Sequence, residues 1–232
     1  MVTKRKLFLI CPLAVSLFLF CLVAGSWAAE TAKPFRILHI NDFHGFALPH
    51  ELPGQKGLFG GIAFLAAKVN DLRSGKPSIL LSAGDMIQGN IWANFSEGKS
   101  VIDVMNTMKF DGMVVGNHEF DHGWQNAHEK LEKYKTPVVL SNIFIEASGK
   151  PFWDRPYVII EKNGVKLGVI GIHGKFAFYD TITANAIKGL EARDEEEYLR
   201  KYIAEIKDKV DLIVVLAHEG TPARQSSKGA ED

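Results

Sequence analysis

Residues 37–45 read Ile-Leu-His-Ile-Asn-Asp-Phe-His-Gly, an apolar run that passes directly into a polar one. The apolar half begins at Phe35 and predicts a short strand over residues 35–40. The polar half follows at once and brings a carboxylate, Asp42, and an imidazole, His44, two positions apart. In open α/β sheets the binding residues lie at the carboxyl ends of the strands. The segment therefore predicts a strand whose end carries side chains able to hold a metal.

Apolar strands and amphipathic helices alternate along the chain after this segment. Further strands are predicted at residues 78–82, 112–115, 137–140, 157–161, 166–172 and 211–217, and helices at 62–72, 101–108, 124–134 and 194–209. Asn163-Gly164 predicts a tight hairpin turn, and Asp194 with Glu197 matches a capping box at the start of the last helix. This alternation is typical of a mixed α/β domain built on a largely buried sheet.

Polar side chains also follow three of the later strands. Gly84-Asp85 follows the second strand, residues 116–121 (Gly-Asn-His-Glu-Phe-Asp) follow the third, and His218 follows the last. Taken singly, each polar residue has a helix cap or a surface position as the alternative. Because strand ends meet at one edge of such a sheet, their joint placement favours a shared metal site. Oxygen and nitrogen donors without sulfur suit Mn, Fe, Co, Zn or Mg, and two such ions roughly 3.5–4 Å apart hold a phosphoryl group.

The composition fits a globular protein without a nucleic-acid partner. Of the 232 residues, 47% are hydrophobic and 23% are charged, with 27 basic residues against 27 acidic ones. This apolar content excludes a disordered chain, and the length predicts one domain or two. Nucleic-acid binders need a clustered basic surface, and no run of Lys or Arg occurs outside the first few residues. We therefore expect no nucleic-acid partner.

The first 28 residues have the pattern of a secretory signal peptide. Basic residues at 4–6 precede an apolar run over 7–24, and Ser26-Trp27-Ala28 places small residues where a signal peptidase cleaves. We expect cleavage after Ala28, with an uncleaved membrane anchor as the alternative. The mature domain is then residues 29–232. We expect this domain to be periplasmic or secreted, and the full chain to contact the membrane only through its signal segment.

Cleavage changes the charge and the cysteine content. Removing three basic residues leaves 27 − 3 = 24 of them against 27 acidic ones, a formal charge of −3. Both cysteines, Cys11 and Cys21, lie in the signal segment. The mature domain therefore has no thiol, which excludes a cysteine nucleophile and a zinc–thiolate site.

Three segments resemble the 5′-nucleotidase family of calcineurin-like metallophosphoesterases: residues 37–45, residues 83–85 (Ala-Gly-Asp) and residues 110–121. The resemblance covers about residues 35–220 and implies an α/β/β/α sandwich that is C-terminally incomplete. It also implies an exported hydrolase of the 5′-nucleotidase or nucleotide-sugar hydrolase type, in which two divalent metal ions activate the attacking water. The expected partner is then a small-molecule nucleotide, and the oligomeric state stays open.

The same resemblance implies roles for the strand-end residues. For the first ion it implies Asp42 and His44 as ligands, for the second Asn117 and His218, with Asp85 bridging both ions. His118 and Asp121 match the catalytic pair of the family. In that role His118, oriented by Asp121, stabilises the developing charge and helps to protonate the leaving group. The alternatives are a hydrogen-bonding histidine at 118 and a helix cap at 121.

The sequence departs from the family after His218. The family adds a Gly-His-x-His motif, with one further ligand for each ion, and a C-terminal domain; residues 219–232 contain neither. The sequence is either a piece of a longer nucleotidase or a natural short form with a weakened site. Since two of the family's ligands are missing, we expect weak Mn or Zn binding and little hydrolysis. A related cyclic phosphodiesterase or sulfur-ester hydrolase, and an inactive fragment that keeps the fold, are the competing interpretations.

The remaining histidines and two loop amides carry weaker predictions. His39 lies inside the first strand and is expected to pack in the core, whereas His50 and His128 are expected at the surface. His122 and His173 are candidates to face the cleft. Gln88 and Asn142 lie in loops near the same sheet edge, where loop capping is the expected role and contact with the substrate is the alternative.

Overall fold

The computed structural model describes residues 34–220 of the chain. The signal segment predicted for residues 1–28 lies outside this range, and it stays a prediction. Within residues 34–220, no helix is both long and apolar enough to cross a membrane.

The strands and helices predicted from the sequence occur in the predicted order, and residues 34–220 also contain five short strands, two short helices and a 3-10 turn that were not predicted. The strands are β1 (Arg36–Ile40), β2 (His50–Glu51), β3 (Leu58–Phe59), β4 (Ser78–Ser82), β5 (Gly112–Val114), β6 (Val138–Val139), β7 (Ile143–Ile145), β8 (Lys150–Pro151), β9 (Tyr157–Lys162), β10 (Val165–His173), β11 (Leu190–Ala192) and β12 (Leu212–His218). The helices are α1 (Ile62–Arg73), α2 (Ile91–Phe95), α3 (Lys99–Met108), α4 (Trp124–Leu131), α5 (Lys175–Thr181) and α6 (Glu195–Ile206), with a 3-10 turn at His118–Phe120.

The first sheet is parallel and has the strand order β1-β4-β5-β6. All five residues of β4 are buried, because this strand has a neighbour on each side and is covered on both faces. The strand β1 lies at the edge, and its alternate residues Ile37 and His39 are exposed. The prediction that His39 packs in the core is therefore wrong: the face of β1 that carries Ile37 and His39 is not covered within the described residues, which a short apolar run does not reveal.

The second sheet has the order β12-β10-β9, in which β12 is parallel and β9 antiparallel to β10. Side chains alternate along β10, as the period of a strand requires. Leu167 and Val169 belong to the main core, which also contains residues of β4 and β5. Ile170 and Ile172 belong to a second cluster with Tyr202 and other residues of α6. The strand β10 is thus buried on both faces, between the first sheet and a helix.

The two sheets pack against each other and form a sandwich with flanking helices. The strand β10 contacts β5 and β6, β12 also contacts β5, and α6 lies against β10. Buried residues of α1, α3 and α4 join the main core. Two small sheets, β11-β7-β8 and the hairpin β2-β3, complete the described part. The α/β class predicted from the sequence is confirmed.

Two local predictions are also confirmed, whereas most element boundaries differ from the predicted ones by one to three residues; α6, for example, ends at Ile206 and not at residue 209. The Asp194 side chain accepts the Glu197 N–H at 3.0 Å, so the cap of α6 forms. Asn163 and Gly164 both have positive φ, as the turn between β9 and β10 requires. The helix α3 starts at Lys99 and not at residue 101. The helix α4 stops at Leu131 and the following strand covers only Val138–Val139, because turns replace regular structure between them.

Candidate metal centre

Backbone pairing of β1 with β4 continues beyond both strands and holds the first two loops together. The Asp42 N–H donates to the Gly84 carbonyl at 3.0 Å, and the His44 N–H donates to the Asp85 carbonyl at 3.0 Å. Asp42, His44 and Asp85 all have positive φ, at 51°, 49° and 56°. Left-handed backbone is strained for such residues and clusters at functional sites. Three of the predicted ligands therefore share an unusual backbone that regular strand geometry does not provide.

Gly84 allows the loops to approach one another. It has φ +95°, and a Cβ built on it would lie 2.6 Å from the Gly116 nitrogen and 2.8 Å from the His218 Nδ1. Only a residue without a side chain fits between these groups. This close approach places the ends of β4, β5 and β12 at one point.

The predicted ligands converge at that point. The His44 Nε2 lies 3.5 Å from an Asp42 oxygen and 3.8 Å from Asp85 Oδ2, and the His218 Nε2 lies 3.4 Å from Asp85 Oδ2. The Asn117 Oδ1 is 2.8 Å from the His218 Nε2. Among residues 34–220, the side chains form two groups of possible metal ligands, and the donor atoms inside each group lie within 4.8 Å of one another. One group is His44, Asp85 and His118, and the other is Asp42, Asp85 and His218. Asp85 belongs to both groups, and nitrogen and carboxylate oxygen donors suit a divalent cation.

Hydrogen bonds to backbone carbonyls fix the orientation of both imidazoles. The His44 Nδ1 donates to the Gln88 carbonyl at 2.9 Å, which leaves its Nε2 facing Asp42 and Asp85. The His218 Nδ1 donates to the Ala83 carbonyl at 2.7 Å, which leaves its Nε2 at the same centre. A metal-binding histidine usually has its other nitrogen held in this way. Gln88, predicted near the cleft, therefore contributes through its backbone carbonyl.

The electrostatics of the centre favour a positive charge. Burial alone would raise the pKa of Asp85, but the hydrogen bond and charge of His218 outweigh it and lower the pKa. Burial also opposes a charge on His218, yet its hydrogen bond and ion pair with Asp85 raise the pKa of His218 to about 9. The raised pKa of His218 favours a proton on Nε2, at the position where a cation would bind. Binding of a cation at the His218 Nε2 must release that proton.

His118 and Asp121 form a pair beside the centre. The His118 Nδ1 and an Asp121 carboxylate oxygen are 2.8 Å apart, and this hydrogen bond raises the pKa of His118. The backbone N–H of His118 donates to Asp85 Oδ1 at 2.9 Å. The His118 ring packs edge-on against His44, with centroids 5.0 Å apart. His118 is therefore oriented through Nδ1, and Nε2 is the nitrogen left for a further group.

A cavity of about 410 Å³ opens beside these residues. Its walls include Asp42, Asn117 and His218, together with Phe176 of α5. His39 also lines it, so the histidine expected in the core faces the cavity instead.

Sequence reasoning missed Glu119, which is buried between the loops. Its carboxylate accepts four backbone N–H groups, and burial raises its pKa. Its position within Asn-His-Glu-Phe-Asp was the only available signal, and the pattern of apolar residues cannot identify a buried carboxylate.

His173, a candidate to face the cleft, and Asn142, placed in a loop near it, are both fully buried. The His173 N–H donates to Asn142 Oδ1 at 3.0 Å, and the Asn142 amide donates to the His173 carbonyl at 2.7 Å. The His173 ring lies behind His218, with centroids 5.6 Å apart, and burial lowers its pKa to about 4. Asn142 therefore stabilises the end of β10 through the backbone of His173. His122, the other histidine considered for the cleft, is exposed.

Comparison with known proteins identifies relatives of this chain. The family model "Calcineurin-like phosphoesterase" matches residues 35–232. The apyrase of Tabanus yao is 34% identical over 206 residues, covering 81% of this chain and 35% of the apyrase. The 5′-nucleotidase of Vibrio cholerae is 31% identical over 203 residues, covering 85% and 36%. The 2′,3′-cyclic-nucleotide 2′-phosphodiesterase/3′-nucleotidase of Haemophilus influenzae is 31% identical over 244 residues, covering 95% and 36%.

Solved structures have the same fold. The NAD nucleotidase of Haemophilus influenzae superposes with a TM-score of 0.66 at 32% identity, covering 78% of this chain and 34% of that one. The chain spans about a third of the length of the curated relatives it matches.

Proposed function

Because the chain belongs to the calcineurin-like phosphoesterase family, we propose that it is the metal-binding part of an exported phosphoesterase that hydrolyses nucleotides. The convergence of nitrogen and oxygen donors from four strand ends, within 4.8 Å of one another in each group, is the observation that supports this most directly. The names of the relatives, apyrase and 5′-nucleotidase, support a nucleotide as the small-molecule substrate. The signal pattern in the first 28 residues supports export to the periplasm or outside the cell.

We infer two divalent cations at this donor set. Asp42 and His44, whose Oδ1 and Nε2 lie 3.5 Å apart, would hold one ion. Asn117 and His218, whose Oδ1 and Nε2 lie 2.8 Å apart, would hold the other, and Asp85 would contact both. When bound, such a pair of ions neutralises phosphoryl charge and lowers the pKa of a water near the phosphorus. These donors suit Zn, Mn, Co, Fe or Mg, so the identity of the ion depends on measurement.

His118 and Asp121 have a separate role in this proposal. Because the pKa of His118 is raised, its ring stays protonated up to a higher pH than the ring of an isolated histidine. Its Nδ1–H is held by Asp121, so the Nε2–H is available to donate to an oxygen of the phosphate or of the leaving alcohol. Donation there stabilises negative charge that develops as the ester bond breaks.

A cyclic nucleotide is the second candidate substrate. It is favoured by the 31% identity to the cyclic-nucleotide 2′-phosphodiesterase/3′-nucleotidase over most of this chain. Water would attack phosphorus in both esters: in a 5′-nucleotide the nucleoside alkoxide leaves and phosphate is released, whereas in the cyclic diester one ring P–O bond breaks and the product is a phosphate monoester.

The test measures metal binding and phosphate release on the same protein. Calorimetric titration with Mn²⁺ should show binding that Asp85→Asn abolishes and that Asp103→Asn, an exposed carboxylate of α3, leaves unchanged. With Mn²⁺ present, phosphate release from 5′-AMP should be slow but above that of Asp85→Asn. If no Mn²⁺ binds, or if Asp85→Asn behaves like the parent protein, the proposal is wrong. Parallel assays with 2′,3′-cyclic AMP, which measure formation of 2′- or 3′-AMP because opening the ring releases no phosphate, separate the two substrates.

His118→Ala tests the division of labour. Loss of a proton donor typically costs 10²–10⁴-fold in rate, so we expect a fall of at least about 100-fold in phosphate release. Mn²⁺ affinity should change little, because Asp85 and His44 remain. His122→Ala, which removes an exposed neighbouring imidazole, is the control. A large loss of Mn²⁺ affinity in His118→Ala would instead make His118 a metal ligand.

A further inference from the structure

We propose that Glu119 is a positioning residue that sets the orientation of the Asp85 carboxylate and thereby the metal affinity of the whole centre. This inference rests on the proposed function, because it concerns the same site. The Glu119 carboxylate accepts hydrogen bonds from backbone N–H groups of the loops that carry the candidate donor atoms, and it would act on those atoms through this backbone.

Four backbone N–H groups converge on the Glu119 carboxylate. Oε1 accepts from Met86 at 2.7 Å and from Ile87 at 3.3 Å. Oε2 accepts from Asp85 at 3.0 Å and from Gly116 at 2.6 Å. Three of these donors are consecutive residues of the loop after β4, and the fourth lies in the loop after β5. One side chain therefore joins the two loops that carry the central ligands.

The four N–H groups surround a side chain that would be costly to bury without partners. Glu119 is only 2% exposed. A buried carboxylate needs partners for its lone pairs, and four N–H donors supply them. Successive N–H groups that face one anion form a concave cradle, which here encloses a side chain of the same protein and not a ligand.

The cradle fixes Asp85 in its left-handed conformation. Asp85 has φ +56°, and its own N–H and those of the next two residues all point at Glu119. Rotation of this backbone would break several of these bonds at once. Asp85 Oδ1 in turn accepts the His118 N–H, so Oδ2 is the oxygen that faces His44 and His218.

A charge or length change at Glu119 should therefore move Asp85 without removing any ligand. Outer residues that orient metal ligands typically change metal affinity 10–100-fold when they are mutated. Substitution of a carboxylate with a merely structural role would lower the stability of the fold and leave the metal affinity unchanged. Asp111 provides that comparison: it accepts the Leu80 N–H at 2.8 Å and pairs with Arg73 and Lys162, but it belongs to neither group of candidate donors.

The experiment compares Glu119→Gln, Glu119→Asp and Asp111→Asn in the full chain. Mn²⁺ affinity is measured by calorimetry, and stability by urea unfolding of the metal-free protein. We expect Glu119→Gln to weaken Mn²⁺ binding roughly 10–100-fold. The side-chain amide in this variant must turn its NH₂ group towards backbone N–H donors, and an NH₂ group cannot accept hydrogen bonds from them. Glu119→Asp keeps the charge but is one methylene shorter, so its loss should be smaller. Asp111→Asn should lower stability and leave Mn²⁺ affinity within about twofold.

The outcomes separate this inference from the proposed function. If the parent protein binds no Mn²⁺, the proposed function fails first. If it binds and folded Glu119→Gln binds equally well, Glu119 does not position Asp85. If Asp111→Asn weakens Mn²⁺ binding as much as Glu119→Gln, general destabilisation explains the effect and the inference is wrong. Should Glu119→Gln not fold, Glu119→Asp decides: parental affinity in the folded Asp variant overturns the inference.

Discussion

The two sheets supply the candidate metal centre in different ways. The first sheet holds its ligands through the backbone: paired loops carry Asp42, His44 and Asp85, all with positive φ. The second sheet contributes His218 at the end of a regular strand, and this side chain reaches across to Ala83 and Asn117 of the first sheet. The loops that follow the first sheet therefore determine the geometry of the centre, whereas the second sheet adds one ligand, His218, to it.

The largest effect on stability is expected at Gly84, where the two sheets meet. In Gly84→Ala the new methyl group overlaps the Gly116 backbone and the His218 ring, and φ +95° is strained for alanine. We expect a loss of about 3 kcal/mol in the free energy of unfolding, because overpacking and backbone strain add. Urea unfolding measures it.

Gly75→Ala is the control for the backbone strain alone. Gly75 has φ +67°, and no other group lies within 4 Å of the position that an alanine methyl would take, so about 1 kcal/mol should be lost there. Equal losses in the two variants would show that the sheets do not meet as closely at Gly84 as the structure indicates.

A smaller effect, on acid stability, is expected at His173 in the second sheet. The pKa of this buried ring falls from 6.5 to about 4 in the folded protein. The unfolded chain therefore binds a proton at a higher pH than the folded one. Protonation of His173 does not change the free energy of unfolding above about pH 6.5, and it lowers this free energy progressively as the pH falls from 6.5 to 4.

Metal-free protein should show this difference in urea unfolding at pH 7 and pH 4.5. Between these values the parent protein should lose on the order of 2 kcal/mol more than His173→Gln. His50→Gln, which removes an exposed ring, should follow the parent. If the parent and His173→Gln lose the same stability, His173 is not kept neutral by burial, and the second sheet is less closed than the first.

The same difference between the sheets explains what the sequence could predict. The order of strands and helices was predictable, because apolar periodicity reports burial and strand ends report candidate ligands. The exposure of His39 was not, since an edge strand and a central strand have the same apolar pattern. Glu119 was not predictable either, because its partners are backbone N–H groups, which every sequence has. The roles of the individual site residues stay predictions.

The smallest effect is expected at Gly174, at the far side of His218. Its φ is −70°, so alanine fits the backbone, but the Glu219 carboxylate occupies the place where a Cβ would be. That carboxylate lies at the N-terminus of α5, the helix that carries Phe176 of the cavity wall. Gly174→Ala should displace it and cost about 1 kcal/mol, the usual value of a helix cap.

A double-mutant cycle with Glu219→Ala assigns this cost to one contact. If the carboxylate is what the methyl group displaces, Gly174→Ala should cost almost nothing in the Glu219→Ala background, as measured by urea unfolding. Additive losses would mean that the methyl group meets some other part of the structure. Mn²⁺ affinity should stay within a few-fold in both single variants. Glu219 lies at the N-terminus of a helix beside the site, whereas Glu119 holds the backbone of the site itself, so the two glutamates should differ most in this measurement.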